Sequence, residues 1–228
     1  MMKNKKLGIY IHIPFCARKC NYCDFLSAPE TRETKERYLS LLDREMRLYK
    51  EIVSAREADT LFIGGGTPSF LETDLTDKLL CSVKKWIPSE NLKEFTIECN
   101  PNSVTEEKLN LYKEAGVTRI SLGMQSACDE ELKKLGRLHS VKEFEKTYEL
   151  VRKHGFERVN IDVMAAIPGQ TIESYKHTLE YVVGLSPEHI SSYSLIIEEG
   201  TPFYEKYREN PPVDEDTDRQ MYDLTKEI

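Results

Sequence analysis

No run of about 18 apolar residues, the length a helix needs to cross a bilayer, occurs anywhere in the chain. No membrane span is therefore expected. No secretory leader is expected at this start either. The start, MMKNKKLGIYIHIPF, has a basic tip but only a short apolar run, broken by His12 and Pro14, with no small-residue cleavage site. No stripe of Lys and Arg stands out, and 32 basic residues face 39 acidic ones for a net charge of −7. That balance argues against a nucleic-acid partner. These absences point to the cytoplasm. Thiols stay reduced there, and clustered cysteines favour metal binding or catalysis over disulfides. What remains is a globular profile, 39% apolar and 31% charged over 228 residues, enough for one large domain or two small ones.

Six short β-branched runs alternate with amphipathic stretches: residues 7–13, 59–64, 94–98, 117–122, 157–163 and 189–195. In the first helical stretch, Tyr38, Leu41, Leu42, Tyr49, Ile52 and Val53 share a face. Ser103 with Glu106, and Ser140 with Glu143, have capping-box spacing. Gly116 and Gly155 stand where helices should stop. Alternating strands and helices imply a parallel sheet with right-handed crossovers. A helix is expected from about Asp216. It runs to Ile228 with no stop signal, so the chain reads as a fragment of a longer protein.

Each strand is followed at once by residues that local structure would not choose. Strand 1 leads into Cys16, Cys20 and Cys23; strand 2 into GGGTPS (64–69); strand 3 ends at Glu98, before Asn100 and Pro101. Strand 4 leads into Gly123, Gln125 and Ser126; strand 5 carries Asp162 and leads into IPGQT; strand 6 leads into IEEGTPF. The carboxyl ends of parallel strands form the active face of such folds. Six coincidences on one face favour an incomplete (β/α)6 barrel, α/β in class, over a doubly wound sheet.

The cysteines, spaced C-x3-C-x2-C, admit three readings. They could form an apolar helical stripe, since free Cys packs as a small hydrophobe. Pro14 at the entrance and the neighbours Arg18, Lys19, Asn21 and Asp24 speak against it. They could hold zinc, with His12 as the fourth ligand that structural zinc requires. They could hold three irons of an iron–sulfur cluster and leave one iron open. The spacing is specific to the third. GGGTPS is neither a Walker loop nor a G-x-G-x-x-G turn. Three successive glycines cost roughly 0.5–1 kcal/mol each relative to Ala. A turn needs one or two, so close approach of backbone to a ligand is expected at this run. Asp is poorly suited to a strand interior, which singles out Asp162. Tyr10 lies opposite Ile9 and Ile11, where core packing is the plainer role. Cys81, Cys99 and Cys128 lack partner spacing and are read as structural.

The motif C-x3-C-x2-C after a first strand resembles the signature of radical S-adenosylmethionine (SAM) proteins. YIHIPFC, YCDF, FIGGGTPS, RISLGMQS, LGRLHS, IPGQT and HISSYSLIIEEGTPF are similar to the oxygen-independent coproporphyrinogen III oxidases and their HemW-type heme-chaperone relatives. The likeness runs from about Leu7 to the end. It implies a radical-SAM barrel. It also implies a [4Fe–4S] cluster held by Cys16, Cys20 and Cys23, with SAM on the fourth iron and reductive cleavage to a 5′-deoxyadenosyl radical. By the same resemblance, Gly65, Gly66 and Thr67 bind the methionine end. Tyr10, Tyr22, Glu98, Gln125, Arg137, Asp162 and Ile196 contact the rest of the cofactor.

Two departures favour the chaperone branch. Phe25 stands where the oxidases have a further Cys, and only fifteen residues precede Cys16. Ala165 and Ala166 replace a bulkier residue and a glycine, and their methyls are expected to tighten the loop beside Asp162. The resemblance implies a core over residues 1–207. Residues 208–228 are then a linker and the start of a C-terminal region carrying the heme-binding motif. Heme or a porphyrin, a low-potential donor of flavodoxin or ferredoxin type, and an unidentified heme acceptor are the expected partners. His139 and His189 are left as candidate heme ligands within this chain.

Overall fold

The computed structural model describes residues 6–56, 58–88 and 92–228. Six strands, β1 (Leu7–Ile13), β2 (Ala58–Gly65), β3 (Glu94–Cys99), β4 (Arg119–Gln125), β5 (Arg158–Ala165) and β6 (His189–Ser194), form one sheet. They are parallel throughout and lie in the order of the chain. β1 and β6 are its edges, so the barrel is open and incomplete, as expected. Between the strands run α1 (Arg32–Ser54), α2 (Thr73–Trp86), α3 (Glu106–Ala115), α4 (Asp129–Leu135), α5 (Val141–Lys153) and α6 (Ile172–Gly184). Short α7 (Pro202–Tyr207) and α8 (Glu215–Glu227) follow β6.

Side-chain alternation sorts the strands into two faces. Ile11, Ile13, Leu61, Ile63, Phe95, Ile97, Ile120, Leu122, Val159 and Ile161 are buried under the helices in one continuous core. The opposite parity is polar: Thr96, Glu98, Ser121, Asn160 and Asp162 face the barrel interior. At about 25 cal/mol per Å2 of apolar surface removed from water, the helix-facing residues supply most of the stabilisation. The interior face is left free for chemistry.

The expected helix stops are found. Gly116 and Gly155 adopt φ of 86° and 76°, which a Cβ disfavours. After each, the next amide reaches back to close the helix, Val117 to Tyr112 and Phe156 to Val151. The Ser140–Glu143 capping box forms with both reciprocal bonds. The Ser103–Glu106 box does not. Ser103 ends a short 3-10 turn, and Thr105 caps α3 by accepting from the Lys108 amide. Pro101 initiates that extra turn and moves the helix start by two residues. The face expected on α1 is also rotated. Its buried stripe is Lys35, Leu39, Met46 and Val53, whereas Leu41, Tyr49 and Ile52 are half exposed. A lysine inside the stripe hid it; the Lys35 ammonium is accommodated by Glu72 at 3.1 Å. Only Cys99 of the three further cysteines is in the core, while Cys81 is exposed and Cys128 half-buried.

α8 lies on α6 and β6, with Met221 fully buried. Tyr175 Oη meets Thr225 Oγ1 at 2.7 Å, and Ser194 Oγ donates to Asp218 at 2.6 Å.

Ala166 takes the burden of its sequence departure in the backbone, at φ 59°. A left-handed L-residue costs roughly 1–2 kcal/mol. Ala166→Gly relieves that strain but loses a buried methyl of about 0.8 kcal/mol and stiffness in the unfolded chain. The expected net change is within about 0.5 kcal/mol. Ala165 ends β5 with an ordinary φ, so Ala165→Gly is expected to cost about 1–2 kcal/mol. Urea midpoints of the two variants check this. Equal losses would contradict the assignment of strain to residue 166.

Candidate functional site

The carboxyl ends of all six strands open into one cleft of about 460 Å3, a size typical of small-molecule sites. Its wall includes Cys16, Cys20, Tyr22, Cys23, Gly65, Gly66, Thr67, Glu98, Gln125, Arg137, Asp162 and Ile196. Twelve of the thirteen expected site residues thus converge from segments up to 180 residues apart. Tyr10 is the exception. Its ring stacks on Phe62, 5.9 Å between centroids, below the cleft and 57% exposed.

The cysteine loop is pinched at its neck. Cys16 N donates to Ala28 O and Ala28 N to Pro14 O, both at 3.1 Å. The glycine run then docks on it, Gly66 N to Ile13 O and Thr67 N to Phe15 O, each at 2.8 Å. On the far side Asn21 N donates to Leu135 O, and Phe203 N to Asn21 O, each at 3.0 Å. This arrangement gives the glycines a packing role that the sequence did not show. A Cβ at Gly66 would sit 2.8 Å from Phe15 O and 2.9 Å from Cys16 Sγ. Gly65 has φ of 117°, and a Cβ at Gly64 would strike Phe62 and Glu98. Packing against the protein's own cysteine loop and neighbouring strands, besides any ligand, requires all three.

Among the described residues no trio of His, Cys, Asp and Glu side chains converges on the point a single ion would occupy; the three thiols look into the shared cleft instead. His12, the fourth ligand of the zinc reading, has both ring nitrogens engaged. Nε2 donates to Leu26 O at 2.9 Å, because a carbonyl only accepts. Nδ1 then accepts from Tyr10 Oη at 3.2 Å. The donor set fits an anionic cluster with a charged amino-acid ligand better. Thr67 Oγ1 lies 3.5 Å from Cys16 Sγ, and Arg137 Nη1 donates to Cys20 Sγ at 3.9 Å. Arg137 Nε is sealed from solvent without a partner. Burial pushes the Cys23 thiol up, with the other two cysteines adding to it.

Opposite the thiols stand two carboxyls. Glu98 Oε2 accepts from Gly65 N at 3.1 Å. Burial first, then the charge of Asp162, push it up to about 7 against the pull of that N–H. Asp162 accepts from Asn160 Nδ2 at 2.7 Å and from Ser121 Oγ at 3.4 Å; burial raises it despite these donors. Gln125 sits at φ 73° in a bulge of β4 and accepts from Tyr193 Oη at 2.7 Å. Bulges of this kind re-aim side chains at strand ends.

Glu98 carries a stability consequence. Its carboxyl titrates at about 7 when folded and near its ordinary 4.5 when unfolded. The neutral form is favoured in the fold, so that stability is complete below pH 4.5 and is lost as pH rises through 7. The loss is up to about 3 kcal/mol, at 1.36 kcal/mol per unit. The thermal midpoint of the cofactor-free protein should fall from pH 5 to 8, and less steeply in Glu98→Gln. Parallel profiles for the two proteins would contradict the assignment.

Sequence reasoning missed Ser121, Met164 and Tyr193, which also line the cleft. Their signal was alternation: 119, 121 and 123 on β4, and 160, 162 and 164 on β5, share the interior parity. Of the candidate heme ligands, His139 is buried, 4% exposed, with Nε2 on Met124 O at 3.2 Å. Burial and the Arg137 charge push it down to about 4. His189 is tied through Nδ1 to Asn160 Oδ1.

Residues 10–182 match the radical SAM superfamily, and the chain belongs to that family. Membership implies a [4Fe–4S] cluster and SAM. The chain is 38% identical over 220 residues to the heme chaperone HemW of Bacillus subtilis (strain 168), covering 94% of this chain and 58% of that protein. It is likewise 38% identical over 219 residues to HemW of Escherichia coli (strain K12), covering 96% and 57%. The mitochondrial radical S-adenosyl methionine domain-containing protein 1 of Danio rerio is 32% identical over 199 residues, 87% of this chain and 45% of that one. The chain therefore spans less than two thirds of these relatives. The structure of the coproporphyrinogen III oxidase HemN from Escherichia coli superposes with a TM-score of 0.86, covering 97% of this chain and 52% of that one. At 23% identity it speaks for the fold alone. No helix among the described residues is long and apolar enough to cross a membrane.

Proposed function

We propose that the chain is the cofactor-binding part of a cytoplasmic heme chaperone. It would hold a [4Fe–4S] cluster on Cys16, Cys20 and Cys23, bind SAM in the same cleft, and serve the transfer of heme to an acceptor protein. The cleft uniting a three-thiol loop with two raised carboxyls carries the cofactor part. The HemW relatives support the chaperone part.

When bound, the cluster would supply the electron for reductive cleavage of the sulfonium. The protein's share is placement. Glu98 presents a carboxylate to a ligand ammonium group, whose charge would lower its raised pKa. The amides around Gly65, Gly66 and Thr67 form the wall beside it. Asp162, fixed by Asn160 and Ser121, and Gln125, fixed by Tyr193, offer acceptors for ribose or base. Tyr22 covers the loop, and Ile196 closes the rim with an apolar face. Tyr10 belongs to the set by resemblance and reaches the loop through His12. A low-potential donor of flavodoxin or ferredoxin type would reduce the cluster. We place the core at residues 1–207, with 208–228 as its docked link to a C-terminal region holding the heme motif.

A second reading, oxidative decarboxylation of coproporphyrinogen III, rests on the sequence motifs shared with the oxidases. Phe25, 61% exposed at the cleft mouth, stands against it. With reductant and SAM under anaerobic conditions, the full-length protein is expected to form no protoporphyrinogen in a chromatographic time course. It should bind heme, and this chain alone should bind heme poorly. Multiple-turnover protoporphyrinogen formation would overturn the chaperone reading. Tight stoichiometric heme binding by residues 1–228 would overturn the placement of the heme site.

A further inference from the structure

We propose that Arg137 is a positioning residue for the cluster's electronics: its guanidinium donates to the Cys20 sulfur and raises the reduction potential of the bound cluster. This rests on the cluster reading above and goes beyond it.

The contact is built rather than incidental. Arg137 Nη2 donates to Gly123 O at 2.7 Å, which orients the planar fork so that Nη1 faces Cys20 Sγ at 3.9 Å. A side chain at 123 would come within 3.0 Å of Nη2, so glycine there leaves the path open. Gly136, at φ 75°, turns the chain out of α4 and sets Arg137 over the cleft. The cysteine loop is stitched to the same turn. Asn21 N bonds Leu135 O at 3.0 Å, Asn21 Nδ2 bonds Lys134 O at 2.9 Å, and Arg18 Nη2 bonds Gly136 O at 2.8 Å. Cys20 and Arg137 therefore sit on segments fixed to each other.

The charge has no close anionic partner. Among the described residues no carboxylate lies within 4.0 Å of Arg137; the buried Asp162 acts on it only from farther across the cleft, and its Nε is sealed without an acceptor. A cation removed from water without an anion is costly. Three thiolates on a cluster supply that anion. Arg18 and Lys19 are nearby but exposed, and Arg18 spends its fork on a carbonyl. Adding an electron makes the cluster more negative. An N–H donor and a fixed positive charge at a ligating sulfur favour the reduced state and raise the potential.

The test is an EPR-monitored redox titration of the reconstituted holoprotein, with iron and sulfide measured on every sample. Arg137→Met should shift the reduction equilibrium about tenfold toward the oxidised form, about 59 mV for one electron. Arg137→Lys, which keeps the charge but not the fork, should lie between. If the Met variant does not assemble a cluster, Arg137→Gln against Arg137→Lys gives the same ranking, with Gln lower. Unchanged potentials in variants of full iron and sulfide content overturn this inference and leave the cluster standing. Absence of sulfide from the wild-type protein overturns both.

Discussion

Cys20→Ala is expected to remove the cluster. Wild-type protein reconstituted without oxygen should hold about four irons and four sulfides per chain, and the variant should lose most of both. The loop has only three thiols facing the cleft, and no described residue replaces one. His12 is held by Leu26 and Tyr10, and Cys99, though in the wall, is buried in the core with its thiol pushed up to about 12. The fold should survive. Cys20 is only half-buried, and the loop's anchoring bonds are made by backbone. Retention of the wild-type iron and sulfide content by the variant would contradict the ligand set.

Gly66→Val is expected to damage fold and cofactor site together. Its Cβ alone would meet a backbone oxygen at 2.8 Å and the Cys16 sulfur at 2.9 Å. Backbone cannot rotate away, so the loss should exceed the roughly 1–3 kcal/mol typical of overpacking. Cluster content and SAM affinity should drop with it. Gly184 is the control. A Cβ there meets nothing within 4 Å, at the end of α6, and Gly184→Ala should raise stability by about 0.5–1 kcal/mol. Chemical denaturation and calorimetry read both. An intact cluster with only SAM affinity lost in Gly66→Val would return the glycine to a purely ligand-facing role.

Much of this was legible in the sequence because parallel α/β folds put their chemistry where strands end. The start of β1 and its end at Ile13 were readable from alternation and Pro14, and every strand end put at least one of its unusual residues in the cleft wall, although IPGQT and Ser126 lie outside it. What was not legible depended on contacts distant in sequence. The Glu98–Gly65 bond spans 33 residues, and nothing near Gly66 announces that Cys16 packs on it. Local rules failed where a tertiary demand overrode them. Pro101 built a turn that displaced the Ser103 cap, and Glu72 made a lysine acceptable in the buried stripe of α1. Tyr10 shared the parity of the interior face, yet parity does not give height along the barrel, and its ring lies below the cleft.

The central claim is that one cleft holds a three-thiolate [4Fe–4S] cluster whose open iron takes SAM. The most direct measurement is the EPR spectrum of the anaerobically reduced holoprotein before and after SAM is added. A [4Fe–4S] signal that changes shape on addition, and does so more weakly in Glu98→Gln, is the predicted result. Protein carrying stoichiometric zinc without inorganic sulfide, or a cluster signal indifferent to SAM, would contradict it.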